Sequence, residues 1–265
     1  MAIRKGYCDG PEGQIHWRMA EPREPPTKPD LYCFSPAPFS SLAYATILPL
    51  LAERRRVIAP DYPGQGGSDG GAPDASIEVY TRSMVSTIEQ LSGADQVSLL
   101  GFHSGCLVAA EVKRQASHLI DHTVMIDVPA FPPEIRATYL AAVGQPFAPT
   151  GALTSVEKAW DMAVTKRLAT QDIDECYALF ADMIANGRRM NATFHAAFTY
   201  DVEACFKQLN DHITVLATQS GLLEPSRRAA TLIEGCTLVE RLDIQGSVLN
   251  QNASATADAV LASIA

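Results

Sequence analysis

Compact apolar runs alternate along this chain with longer stretches that have helical spacing. Runs of apolar and β-branched residues bounded by turn residues are typical of strands. They predict strands at 14–18, 31–34, 56–59, 96–100, 123–127, 213–217 and 237–242. Helical patterns that open near Ser, Pro or Asn lie at 41–53, 76–91, 104–115, 225–233 and 253–264. This alternation predicts an α/β fold, with a mostly parallel central sheet and helices on both faces.

The alternation stops between residues 131 and 210. This span has no convincing strand and at least three helical patterns, and it is far longer than an ordinary connection between elements. We therefore predict a helical cap at 131–210, inserted after the predicted strand at 123–127. The core domain then consists of residues 1–130 and 211–265.

Composition narrows the class of protein. With 265 residues, of which 47% are hydrophobic and 19% charged, the chain can bury a large core. The formal charge of -9 gives no basic field for a phosphate backbone, so we expect no nucleic-acid partner. No apolar run suits a signal peptide or a membrane span. Six cysteines without CxxC spacing indicate reduced thiols, and hence a cytoplasmic location. As partners we expect a small-molecule substrate or ligand, and a second copy of the chain could form a homodimer with it.

The most informative stretch is Gly101-Phe102-His103-Ser104-Gly105, because it joins a predicted strand to a predicted helix. Glycines spaced four apart are typical of a nucleophile elbow, in which strand and helix nearly touch on both sides of a strained residue. In this register the strained, exposed residue is His103. A shift of one residue would make Ser104 the nucleophile, but Phe102 and Cys106 would then occupy the tight positions, where a phenylalanine side chain should clash.

On these residues the chain resembles the α/β-hydrolase family, over essentially its whole length. Residues 57–69 are similar to the family's loop after strand 4, and 214–230 with 237–242 to its last strand-helix-strand unit. The turn itself resembles a branch that carries Gly-x-His-Thr-Gly, with Ser104 in place of the threonine. The resemblance implies an α/β-hydrolase fold with an inserted helical cap.

The chain departs from the family's catalytic triad at all three positions. The family has Ser, Asp or Cys where this chain has His103, an acid where it has Gly221, and a histidine where it has Ser247. No histidine follows His212, so a triad in the family's order cannot be assembled. Some relatives carry the acid at the end of strand 6, which is the position of Asp127, and a carboxylate there could orient His103 or raise its basicity.

The family's oxyanion hole is made of backbone N–H groups and can therefore survive the loss of these side chains. The resemblance implies one donor from Ser104 and a second from Ala37 in the loop after strand 3. If that loop is shifted by one residue, Pro36 takes the second position and has no N–H to donate. We also predict a substrate pocket lined by Ser35, Phe39, Phe102, Trp160 and Ser247.

Two functions remain open at this point. The first is an enzyme that acts on a small, largely apolar carbonyl compound, by ester or lactone hydrolysis or C-C cleavage. Its acid-base residue would be His103, with a pKa near neutrality, assisted by Ser104 and Asp127. The second is a non-catalytic homologue that binds a small ligand. No histidine pair has metal spacing and no dinucleotide fingerprint follows a strand, so we expect neither a metal nor a cofactor.

Overall fold

The computed structural model describes residues 2–93 and 95–265. Its eight strands are β1 (Ile3–Gly10), β2 (Gly13–Ala20), β3 (Leu31–Phe34), β4 (Val57–Pro60), β5 (Val97–Phe102), β6 (Ile120–Ile126), β7 (Ile213–Gln219) and β8 (Thr237–Gln245). They form one sheet in the order β1-β2-β4-β3-β5-β6-β7-β8. From β4 to β8 the strands are parallel, while β2 runs antiparallel to both of its neighbours. The predicted α/β-hydrolase fold is confirmed.

The helices lie on both faces of this sheet or above its edge. They are α1 (Leu48–Leu51), α2 (Ile77–Ser92), α3 (Gly105–Gln115), α4 (Pro133–Val143), α5 (Glu157–Trp160), α6 (Ile173–Ala185), α7 (Ala192–Thr199), α8 (Val202–Phe206), α9 (Leu223–Leu232) and α10 (Ala253–Ser263). One buried cluster packs α2 and α3 against one face, and a second packs α1 and α10 against the other. No helix of the described ranges is both long enough and apolar enough to cross a bilayer.

Two elements differ from the sequence prediction. The strand β1 was not predicted, because its Lys, Arg and Asp residues give little apolar alternation; its position depends on pairing with β2 along its whole length. The helix predicted at 41–53 is instead a 3-10 turn at Ser41–Tyr44, followed by the short helix α1. Pro49 explains the break, since proline is tolerated only in the first turn of a helix.

The loop after β4 is held by one carboxylate. Asp61 is buried and accepts hydrogen bonds from Nδ1 of His16 at 2.7 Å, from the amide of Ser41 at 2.7 Å and from the amide of Gly67 at 2.9 Å. These bonds tie β2, the turn after β3 and the loop after β4 together. Asp61 is therefore a structural residue, and His16 is its partner.

Between residues 131 and 210 the chain forms only helices and loops, from α4 to α8. We call this the helical segment. Its aromatic side chains on α4 and α7 stack on one another: Tyr139 lies 5.2 Å from Phe198, and Phe194 lies parallel to Phe198 at 6.2 Å. Phe131 packs against Tyr139 at 5.1 Å, which carries this stack down to the end of β6. This stack of rings therefore starts beside the carboxyl end of β6.

Candidate active site

The turn between β5 and α3 has the geometry of an elbow centred on His103. Its φ of +50° is in the left-handed region, which only a few per cent of residues other than glycine occupy, Asn, Asp and His more often than the rest. A Cβ on Gly101 would lie 2.5 Å from Cα of Cys106, and one on Gly105 would overlap the carbonyl oxygen of Phe34. Only glycine fits on each side, so the strained position falls on His103, and Ser104 precedes the first residue of α3.

The imidazole of His103 stands alone at this turn. It is half-buried, stacks obliquely on the Phe102 ring at 4.1 Å, and forms no hydrogen bond with the residues that the structure describes. Burial, opposed by the negative charge of Asp127 and reinforced by the positive charge of Arg167, lowers the pKa of His103 to about 4. The expected pKa near neutrality is corrected accordingly, because desolvation outweighs the carboxylate. The imidazole is neutral at pH 7.

Two backbone amides converge beside His103. The Ala37 N–H donates to Oγ of Ser104 at 2.6 Å, so the loop after β3 turns the amide of Ala37, rather than Pro36, toward the elbow. The N–H of Ser104 itself has no acceptor within the described chain. These are the two donors that the sequence suggested for an oxyanion hole. The N–H of Ala37 is occupied by the Ser104 hydroxyl, whereas the N–H of Ser104 has no partner among the described residues.

Asp127 lies at the end of the neighbouring strand, but it is not hydrogen-bonded to His103. Its buried carboxylate accepts from the amide of Thr218 at 2.8 Å and from the Thr218 hydroxyl at 2.7 Å. Its backbone is also left-handed, with φ of +52°. Asp127 therefore acts on His103 through its charge, which favours the protonated imidazole, and not by a direct bond that orients the ring.

Two cavities open from His103 in different directions, and both are lined by Ala37, His103 and Ser220. The polar lobe, of about 200 Å³, is the more polar of the two because Asp127, Arg167, Ser247 and Asn250 line it, together with Phe39, Phe102 and further apolar side chains such as Leu179 and Val248. The aromatic lobe, of about 350 Å³, is defined by Pro129, Phe131, Tyr139, Phe194, Phe198 and Leu222. A ligand whose reacting atom meets His103 can therefore extend into two unlike surroundings.

Three of the five predicted pocket residues line the polar lobe: Phe39, Phe102 and Ser247. Ser35 lies outside both lobes because it is buried under the loop, where its carbonyl accepts from the Tyr62 hydroxyl at 3.0 Å.

Trp160 also lies outside both lobes. Its ring packs edge-on against two neighbours within the helical segment, Tyr177 and Phe180. The tryptophan therefore contributes to the packing of this segment rather than to the surface that a ligand would meet.

Sequence reasoning missed Arg167, which carries no motif. It follows a π-helical turn at Asp161–Thr165, and a register irregularity of that kind has no signature in hydrophobic spacing. Of the residues predicted to stand in place of the family's acid and histidine, Gly221 lines the aromatic lobe and Ser247 the polar lobe. Across the described residues, no three His, Cys, Asp or Glu side chains come close enough to hold a metal ion.

Comparison with known proteins agrees with this architecture. The model of the alpha/beta hydrolase family matches residues 32–243. No curated protein matches the sequence. Among solved structures, a hydrolase from Pseudomonas aeruginosa PA01 is similar at 18% identity with a TM-score of 0.78, covering 98% of each chain. The enol-lactonase of Burkholderia xenovorans LB400 is 16% identical with a TM-score of 0.77, covering 97% of this chain and 99% of its own.

An epoxide hydrolase from Vigna radiata is 14% identical, has a TM-score of 0.73, and covers 98% of this chain and 97% of its own. At such identities the three structures share a fold with this chain. Their chemistry does not transfer with it.

Proposed function

This chain belongs to the alpha/beta hydrolase family, and from that premise we propose that it is a cofactor-independent enzyme acting on a small, largely apolar carbonyl compound, with His103 as its acid-base residue. One observation carries the proposal. Among the described residues, the imidazole of His103 and the amide of Ser104 have no hydrogen-bond partner, and the neutral imidazole lies at the strained turn between two cavities. The six thiols form no disulfide, which supports a reducing compartment such as the cytoplasm.

In hydrolysis, His103 takes a proton from a water molecule as the oxygen of that water attacks the substrate carbonyl. The negative charge that develops on the carbonyl oxygen is stabilised by the N–H of Ser104 and, once the Ser104 hydroxyl turns away, by the N–H of Ala37. The protonated imidazole then returns its proton to the leaving oxygen. Asp127 stabilises the transient imidazolium through its charge.

The low pKa of His103 makes its imidazole a weak base, which favours some carbonyl substrates over others. A weak base suits reactions in which the leaving group is itself a stable anion, because little proton transfer is then needed in the transition state. Enol esters, aryl esters and activated lactones have such leaving groups. C-C cleavage of a 1,3-diketone instead releases the enolate of a ketone, which is more basic than an alkoxide and takes its proton from the imidazolium as the bond breaks. These are the classes to test, since an unactivated alkyl ester has neither a stable leaving anion nor a carbonyl activated by a second one.

A fluorophosphonate probe is expected to leave the native protein unlabelled. The probe reacts with serines that a neighbouring base activates, whereas the partner of Oγ in Ser104 is an amide donor, which cannot accept its proton. Labelling is measured by intact-mass spectrometry alongside turnover of aryl acetates, lactones and 1,3-diketones. The Ser104→Ala variant is the control for any adduct found elsewhere.

Stoichiometric labelling of Ser104 in the wild type would contradict the histidine-centred mechanism. Turnover of none of the three classes would favour the alternative, a homologue that only binds its ligand. One specific observation supports that alternative: Gly221 and Ser247, at the positions of the family's acid and histidine, cannot relay a proton.

The pH profile of kcat/KM is expected to have its acid limb near pH 4. The neutral imidazole is the active form, so activity is present above the pKa of His103 and is lost as the pH falls through it. An ordinary histidine would place that limb near pH 6.5, at about its unperturbed pKa. The Asp127→Asn variant should move the limb further toward acid, because removing the carboxylate charge lowers the pKa again.

The same shift affects stability in a defined direction. In the unfolded chain His103 binds its proton below about pH 6.5, but in the folded protein it does so only near pH 4. Between these values the unfolded state holds more protons, so this residue contributes to a loss of stability as the pH falls. A limb of the kcat/KM profile centred near pH 6.5 would instead mean that the pKa of His103 is not lowered in the free enzyme.

A further inference from the structure

The polar lobe contains a cation held in a fixed position. Nε of Arg167 donates to the carbonyl of Met162 at 3.2 Å, and Nη1 donates to Oε1 of Gln171 at 2.9 Å. The guanidinium also lies over the ring of Phe39, with its central carbon 4.5 Å from the ring centroid. The π-helical turn before it directs this side chain toward the cavity, so the guanidinium is oriented before any ligand arrives.

This cation has no carboxylate partner. Within the described chain no Asp or Glu oxygen lies within 4.0 Å of Arg167, whereas Arg56 bonds Asp30 and Arg114 bonds Glu111. Nη2 of Arg167 has no acceptor among these residues either. Burial lowers the pKa of Arg167. Of the described residues, the one acidic group that acts on this pKa is the Cys176 thiol, and burial raises the pKa of that thiol and keeps it protonated. A partly buried charge left unpaired is costly, and an anionic ligand removes that cost.

Two carboxylates near the polar lobe, Asp127 and Glu175, do not act as the counterion of Arg167. Asp127 lies at the base of the cavity and its oxygens are engaged by Thr218. The oxygens of Glu175 face Thr46 and Asn250 at the outer rim. Asp127 and Arg167 thus line the same cavity, but the oxygens of Asp127 are bonded to Thr218 and the described residues leave Arg167 without a carboxylate.

We propose that the polar lobe binds a carboxylate of the substrate, with Arg167 as its counterion, while the apolar end of the same molecule fills the aromatic lobe. The substrate class is thus an apolar or aryl-substituted organic acid whose reacting carbonyl lies between its two ends, at His103. A planar carboxylate matches the two-pronged donor geometry of a guanidinium. The identity of this molecule as a substrate rests on the proposed function, but its binding does not.

The test is calorimetric titration with matched acids and amides. The acids are 3-phenylpropionate, 4-phenylbutyrate and 5-phenylpentanoate, and each is compared with its primary carboxamide, which has nearly the same shape and no charge. In the wild type the best of the three acids is expected to bind at least tenfold more tightly than its amide. In Arg167→Gln that ratio should fall to about one, and in Arg167→Lys it should be intermediate, because the charge remains without the fork.

Lys166→Gln is the matched control, since Lys166 precedes Arg167, is largely exposed and pairs with Asp161. Its ratio should equal that of the wild type. Thermal unfolding of each variant shows that it is folded. Equal binding of acid and amide to the wild type, a ratio that survives in Arg167→Gln, or no measurable binding of any acid would each overturn the proposal.

A His103→Asn variant separates this proposal from the proposed function. If it binds the acids as the wild type does while no carbonyl substrate is turned over by either protein, the carboxylate site stands and the proposed reaction fails. If the wild type turns over a substrate but shows no preference for acids over amides, the reaction stands and the role of Arg167 fails.

Discussion

His103→Ala is expected to lower kcat at least about 100-fold on any carbonyl substrate that the wild type turns over, which is the usual size of an acid-base contribution. The physical reason is that no other base stands at the turn: Ser104 accepts from an amide, and Asp127 is engaged by Thr218. The measurement is steady-state kinetics at neutral pH, where the imidazole is neutral. The free energy of unfolding should change by less than about 1 kcal/mol, because the half-buried side chain has no hydrogen bond to lose.

His103→Asn distinguishes the loss of a base from a disturbed backbone. Asparagine tolerates the left-handed conformation that this turn requires, but its amide cannot accept a proton near neutral pH. Both variants should therefore lose activity to the same extent. Wild-type rates in either variant would exclude His103 from the chemistry and would mean that another group of this chain carries it.

Gly105→Ala should have the largest effect on stability. Its Cβ would overlap the carbonyl oxygen of Phe34, which is backbone and cannot turn aside, so α3 and β3 would have to separate. We expect a loss of about 3 kcal/mol or more, at the upper end for overpacking in a core. In a domain of this size that is a fall in Tm of roughly 10 °C, measured by calorimetry.

The matched control is Gly151→Ala, since a Cβ there meets no atom within 4 Å and its backbone needs no positive φ. It should leave Tm unchanged within about 1 °C, as exposed substitutions away from such contacts generally do. If Gly105→Ala were as stable as this control, the close approach of α3 to β3 would not be the constraint that places His103 at the elbow.

The sequence predicted most of the fold because its buried strands are short apolar runs, and because Gly101 and Gly105 mark the tightest approach in the molecule. It also predicted that Ala37, Phe39, Phe102 and Ser247 lie near His103. The resemblance to the α/β-hydrolase family implied these positions, because the loops after its strands surround the elbow. Their roles in catalysis stay predictions.

Other features depend on contacts that no local pattern reports. The strand β1 is specified by its pairing with β2. No motif marks Arg167, and its charge belongs to the site only because the chain after the π-helical turn places this side chain in the cavity. The bond from Asp127 to Thr218 joins β6 to β7, so neither residue signals it alone. The pKa of His103 was wrong in the sequence prediction because it depends on how much water the finished cavity excludes.

The two lobes beside His103 differ in polarity, so they fix the direction in which a substrate lies in the site. A carbonyl carbon has two faces, and a molecule that lays its charged end beside Arg167 and its apolar end against Phe131 and Phe198 is held in one direction only. If the carbonyl oxygen also meets the amide of Ser104, this third contact fixes the face of the carbonyl that the imidazole meets. A mirror-image molecule would have to give up one of the three contacts, so we expect the cavity to discriminate between enantiomers before any bond is broken.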